Sequence, residues 1–190
     1  PGYDEGAWWV QDAGATLPVQ LFGKLDGANV LDVCAAPGGK TAQLLCGGAN
    51  VTAIDISKVR IRRLKENLDR LGLKAELIHA DIKKWTTSRL FDFIFLDAPC
   101  SATGTIRRNP DVLIHKTYED VQKLSIVQME ILQRVSELVR PGGQLVYCTC
   151  SLQYEEGEAQ VDRFLSKNTG FNRDPISLHE IGSVCDAINV

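Results

Sequence analysis

Six cysteines and a row of aspartates are the residues of this 190-residue chain whose types and spacing could do chemistry. Two of the cysteines sit where apolar runs give way to polar turns. Asp97-Ala98-Pro99-Cys100-Ser101 leaves one such run, and Thr149-Cys150-Ser151 leaves another. A thiolate is a strong nucleophile once its pKa is lowered or a base assists it. Acidic residues recur just past three successive runs, at Asp55, Asp81 and Asp97. The stretch Val30-Leu31-Asp32-Val33-Cys34-Ala35-Ala36-Pro37-Gly38-Gly39-Lys40-Thr41 is an apolar run, a tight glycine turn and a helix start. Two glycines let backbone approach a ligand closely.

These groups need a scaffold that gathers them. Apolar runs predict strands over 29–33, 51–55, 75–79, 91–97 and 144–150. Helical spacing predicts helices over 11–22, 40–46, 58–71, 117–139 and 155–164, with Asp12 and Asp55 or Ser57 as caps. The 58–71 helix should turn Val59, Leu64, Leu68 and Leu71 inward and leave Arg60, Arg62, Arg63 and Lys65 solvated. The 117–139 helix should bury Leu124, Val127, Ile131, Leu132, Val135 and Leu138 before Arg140-Pro141-Gly142-Gly143 stops it. Glu155 and its acidic neighbours suit the start of the last helix. Strand alternating with helix is the pattern of an α/β fold with a mostly parallel, doubly wound sheet. In such sheets the carboxyl ends of the strands face one crevice. That crevice would hold the three aspartates, the glycine turn and both polar-turn cysteines. Cys34 and Cys46 read as small buried side chains, and Cys148 as a structural neighbour of Cys150 along the strand.

Composition is that of one globular domain over 1–190, with a lead-in and helix at 1–28, a core at 29–166 and a tail at 167–190 that shows no confident element. Hydrophobic residues make up 44% and charged residues 24%, which excludes wholesale disorder. No run is long enough to cross a membrane and no signal peptide opens the chain, so a cytoplasmic protein with reduced thiols is expected, bound to no membrane. Cys34, Cys46, Cys100, Cys148, Cys150 and Cys185 lack zinc-site spacing, and His79, His115 and His179 lack ligand spacing; no metal is expected. A net charge of −3 does not suit a protein that holds nucleic acid by global attraction, so any such affinity must come from local patches or other domains.

Three ligands compete for the glycine turn. A P-loop needs Gly-x-x-x-x-Gly-Lys-Ser/Thr; Gly39-Lys40-Thr41 fits its end, but Cys34 stands where its first glycine belongs. A dinucleotide fingerprint needs three spaced glycines, which also rules against a dehydrogenase. The third is S-adenosylmethionine, and Asp55, 17 residues beyond Gly38, lies where an acid meets ribose hydroxyls. That spacing decides for the third.

Asp32 to Thr41, Asp97-Ala-Pro-Cys-Ser-Ala-Thr-Gly104, Arg107-Arg108-Asn109-Pro110 and Thr149-Cys-Ser151 together resemble the RNA cytosine-C5 methyltransferases of the Fmu/Sun type, and among them the bacterial 16S ribosomal RNA branch. The resemblance runs from about Trp8 to Leu165. It implies a Rossmann-like class I methyltransferase fold, S-adenosyl-L-methionine as donor and RNA as substrate. It implies that Cys34, Ala35, Ala36, Pro37, Gly38, Gly39 and Lys40 line the donor, that Asp55 meets its ribose, Asp81 its adenine, and that Asp97 borders both donor and base. It further implies Cys150 as the nucleophile that attacks C6 of the cytosine, and Cys100 as the thiol assisting product release. Arg107, Arg108 and Asn109 would then touch RNA beside a base that is unpaired or flipped out. Transfer RNA cytosine methylation and a non-catalytic RNA-binding module are the alternatives. The family's N-terminal RNA-binding domain and C-terminal edge strands are expected to be missing from this chain, which should fold and bind donor yet methylate RNA weakly.

Overall fold

The computed structural model describes residues 1–177 and Glu180; Cys185 and His179, and with them most of the expected tail beyond 177, lie outside the described residues. Five strands form one parallel sheet in the order β3-β2-β1-β4-β5. These are β1 (Asn29–Val33), β2 (Asn50–Asp55), β3 (Glu76–His79), β4 (Phe91–Asp97) and β5 (Val139–Cys148). The helices are α1 (Ala13–Gln20), α2 (Gly39–Cys46), α3 (Lys58–Arg70), α4 (Val112–His115), α5 (Tyr118–Ser136) and α6 (Glu158–Lys167).

Strand period explains the two layers. Successive side chains of β1 and β4 alternate between faces: Val30 and Phe95 pack under α1, α2 and α3 with Phe22, Leu44, Leu64 and Leu68, while Leu31, Val33, Ile94 and Leu96 pack under α5 and α6 with Leu132, Val135 and Phe164. Both faces of the sheet are covered, as parallel sheets require. The chain winds from β1 outward to β3, then returns to the far side of β1 for β4. That reversal makes the β1–β4 boundary the switch point at which open α/β sheets bind ligands.

Several expected boundaries move, each for a physical reason. The helix at the start is shorter than 11–22, capped by Asp12 accepting from Gly14 N, and it buries Val19. The long helix ends at Ser136 rather than 139, and β5 begins at Val139 opposite Phe91. Pairing skips directly from Phe91↔Val139 to Phe93↔Gln144, so Arg140-Pro141-Gly142-Gly143 is a bulge within the strand and not a terminator before it. The strand stops at Cys148, leaving Cys150 in a turn rather than in the sheet. A 3-10 turn at Tyr154–Glu156 precedes α6, so the last helix starts at Glu158. In α3, Leu64 and Leu68 are buried, but Val59 is 68% exposed because the first helical turn is not covered by the sheet.

Leu64→Ala should therefore cost about 2–5 kcal/mol in urea unfolding, whereas Val59→Ala should change stability by no more than about 0.5 kcal/mol. Equal losses would contradict this packing.

Candidate active site

The glycine turn leaves β1 through Cys34, whose backbone is left-handed (φ 62), and reaches α2 through Gly38 (φ 104) as its N-cap. Side chains from α3 fix its carbonyls: Arg60 donates to Ala36 O, and Asn67 Nδ2 donates to Pro37 O at 2.8 Å. Asp55 lies under the turn, with Oδ2 accepting from Ala36 N at 3.3 Å and Oδ1 from Ser57 N at 2.9 Å. The Arg60 guanidinium stands 3.4 Å from Asp55 Oδ2. Arg60 is thus a working part of the turn rather than one of a solvated row. Sequence reasoning missed it and Asn67 because their helix face reads simply as polar. Ser57 is the α3 cap, accepting from Arg60 N, so Asp55 braces the turn between β2 and α3.

Asp32 is fully buried in β1, and Thr41 Oγ1 donates to its Oδ2 at 2.6 Å. Its Oδ1 has no partner among the described residues. Burial, with Asp97 and Asp55 nearby, pushes its carboxyl up to about 7 despite the Thr41 hydrogen bond. Lys40 Nζ pairs with Asp97 Oδ2 at 2.7 Å, and that contact outweighs burial to raise the lysine above its ordinary value. Cys148 Sγ lies 3.7 Å from Asp97 Oδ1, and burial pushes its thiol well up, consistent with a structural cysteine. Cys34 is likewise pushed up to about 12 by burial and by Asp55. Asp81 lies just past the edge strand β3, where Oδ1 accepts from Lys83 N at 3.0 Å.

The two polar-turn cysteines meet. Cys100 Sγ and Cys150 Sγ are 3.4 Å apart, a hydrogen-bond separation between free thiols. Their turns touch because Gly104 N donates to Cys150 O at 2.9 Å, where a Cβ on residue 104 would stand 2.9 Å from the same oxygen. Either sulfur can donate in this contact. With Cys100 as the donor, the contact lowers Cys150 to about 7 against the opposing effects of burial and Asp97, and the same contact together with burial raises Cys100. Cys150 is exposed and Cys100 half-buried. Arg107, Arg108 and Asn109 are exposed beyond this turn; Arg108 pairs with Asp12 Oδ2 at 3.1 Å and Asn109 Nδ2 donates to Thr105 Oγ1 at 3.1 Å.

Behind the thiols is a polar cluster that sequence reasoning did not find. Glu156, Gln128 and Gln160 are each 0% exposed. Glu156 is not part of the acidic first turn of the last helix; it points inward from the 3-10 turn, where Ser101 and Gln128 offer it buried donors.

Residues 19–186 match the model of the 16S rRNA methyltransferase RsmB/F family. Ribosomal RNA small subunit methyltransferase B of Salmonella arizonae is 44% identical over 172 residues, 88% of this chain and 40% of that protein. The Vibrio cholerae protein of the same name shows the same figures. The chain thus spans about two fifths of the length of these relatives. Among solved structures, NSun6 from Pyrococcus horikoshii with SFG superposes at a TM-score of 0.81, 32% identical, over 88% of this chain and 44% of that one. A methyltransferase homolog protein from the same organism superposes at 0.76, 34% identical, over 87% and 53%.

Alkylation of Cys150 by iodoacetamide should rise with pH about a midpoint near 7, since the thiolate forms as pH passes its lowered pKa, while Cys34 should resist until about pH 12. Peptide mass spectrometry reads both. A Cys150 midpoint at or above 9, the ordinary thiol value, would contradict the stabilisation of its thiolate by Cys100.

Proposed function

The chain belongs to the 16S rRNA methyltransferase RsmB/F family, and from that premise we propose that it methylates C5 of a cytosine in 16S ribosomal RNA through a covalent adduct to Cys150. The observation that carries this is the 3.4 Å approach of the two thiols, in which Cys100 is assigned as the donor. Of the two sulfurs, Cys150 is the exposed one and the one able to exist as thiolate near neutral pH.

The residues around the glycine turn fit S-adenosylmethionine. The two cations beside the turn, Lys40 and Arg60, are already paired with Asp97 and Asp55, so neither is free for a phosphate, while the carboxyl oxygens can accept from a ligand's hydroxyl and ammonium groups. The unpartnered Oδ1 of buried Asp32 offers an acceptor that a polar ligand could satisfy. Ile56, 65% exposed next to Asp55, offers an apolar surface to a flat ring. When bound, the donor supplies an electrophilic methyl group.

The chain's own residues do the rest. C5 of cytosine is a poor nucleophile inside an aromatic ring. Addition of the Cys150 thiolate to C6 breaks that aromaticity and makes C5 enamine-like, splitting one hard step into two. Asp97, oriented by Lys40, is the group assigned to the N3 and amino edge of the base, where charge develops. Once C5 has taken the methyl, its proton leaves to a base, the C6–sulfur bond breaks, and Cys150 departs as the thiolate. Cys100, within reach of that sulfur, assists release by donating its hydrogen bond to the leaving thiolate. Arg107, Arg108 and Asn109 are assigned to phosphates beside the base; Arg108 must give up Asp12 to do so.

With donor carrying a deuterated methyl, 16S ribosomal RNA and protein in excess, nucleoside mass spectrometry should find 5-methylcytidine heavier by the label. Cys150→Ala should lower its formation at least about a thousandfold. Label on a ribose or an exocyclic nitrogen, or undiminished product from Cys150→Ala, would overturn the proposal.

A further inference from the structure

Glu156 is a fully buried carboxyl with no cation beside it among the described residues. Such a group is costly to bury unless its hydrogen bonds are complete, and here they converge on one turn. Its Oε1 accepts from Ser101 N at 2.9 Å and from Gln128 Nε2 at 2.9 Å, and its Oε2 accepts from the Ser101 hydroxyl. Gln128 Nε2 also donates to Pro99 O at 2.9 Å. The residues on both sides of Cys100 are therefore tied to Glu156, Ser101 directly and Pro99 through Gln128.

The cluster then crosses to the other thiol. Ser101 Oγ lies 3.1 Å from Ser151 Oγ, next to Cys150, and Gln153 N donates to Ser151 Oγ at 3.0 Å. Thr103 Oγ1 lies 3.2 Å from Ser151 Oγ and accepts from Leu152 N at 2.9 Å. Tyr147 of β5 donates its hydroxyl to Glu156 O at 2.7 Å, and Gln160 Nε2 of α6 donates to Gln128 Oε1 at 3.1 Å. The two Glu156 carboxyl oxygens accept from Ser101 N, the Ser101 hydroxyl and Gln128 Nε2, and these three contacts fix the directions of those donors. The Ser101 hydroxyl must point at Glu156, which leaves its lone pair to receive the Ser151 hydroxyl. Packing alone would be served as well by glutamine; an acceptor at both oxygens would not.

We propose that Glu156 is a positioning residue that acts through Ser101 and Gln128 to hold the Cys100 turn against the Cys150 turn, setting the separation at which Cys100 donates to Cys150. This rests on the assignment of those two thiols to the reaction, but its test needs neither RNA nor donor, so a failure to methylate and a failure of this proposal are read separately.

The test compares the 190-residue chain with Glu156→Gln, Glu156→Ala and Ser101→Ala, each checked for folding by circular dichroism. One readout is the pH midpoint of Cys150 alkylation; the groups facing that sulfur are Cys100, Asp97 and Lys40, all retained. The second is the rate at which a diazene oxidant takes two hydrogens from Cys100 and Cys150 to close a disulfide. Both Glu156 variants should raise the midpoint by about one unit, the size of one weakened hydrogen bond to a charged acceptor. They should slow disulfide closure at least about tenfold, as expected for loss of a fixed geometry. Ser101→Ala should shift both in the same direction. A folded Glu156→Gln with wild-type midpoint and closure rate would reduce Glu156 to packing and overturn the proposal. Should both Glu156 variants fail to fold, an unmoved Ser101→Ala would overturn it.

Discussion

A 3.4 Å contact between two sulfurs organises this site. Cys100 and Cys150 are not joined in a disulfide, and at 3.4 Å they are close enough that ionising one makes the other harder to ionise. That asymmetry is what would let two chemically identical side chains take the two roles proposed for them, nucleophile and hydrogen-bond donor. Neither cysteine could do this alone at neutral pH, because burial and the Asp97 carboxyl both oppose a thiolate at Cys150. The contact depends on two strands, β4 and β5, ending side by side, and on Gly104 allowing one turn to lie directly on the other.

The same adjacency on the other side of β4 supplies the rest of the crevice. β1 pairs with β4 at the point where the winding reverses, so the glycine turn opens next to Asp97. Lys40 bridges the two by pairing with Asp97 across the gap. In the proposed reaction the methyl donor and the base would therefore meet at one carboxylate, as a direct transfer between them requires. Arg60 and Asn67 hold the turn from behind, and Asp32 stays buried with an oxygen unpartnered. Such an oxygen is tolerable in a site whose ligand completes it.

Much of this was legible in the sequence because its signals were strong ones. The runs over 29–33 and 91–97 are apolar, β-branched or aromatic, and bounded by turn residues, and both strands form over those residues. Terminal aspartates and the two cysteine turns could be gathered at one edge by topology alone. What was missed is polar and inward-facing. Ser125 and Gln128 occupy buried positions on α5 between apolar neighbours, and a search for apolar periodicity passes over them. Glu156 lies in a 3-10 turn, where the sequence pattern reads as the acidic start of a helix. Arg140-Pro141-Gly142-Gly143 has the composition of a terminator, yet the neighbouring strand pairs on both sides of it and makes it a bulge. In each case a tertiary partner decided the outcome, and no local pattern names that partner.

The central claim is that Cys150, and not Cys100, bonds to the base. It is tested most directly with RNA carrying 5-fluorocytosine, in which fluorine at C5 cannot leave as a proton does and the adduct persists. After digestion, the account predicts a methylated, fluorinated cytosine attached to the peptide containing Cys150, retained in Cys100→Ala and lost in Cys150→Ala. The same mass on the peptide containing Cys100, surviving Cys150→Ala, would contradict it.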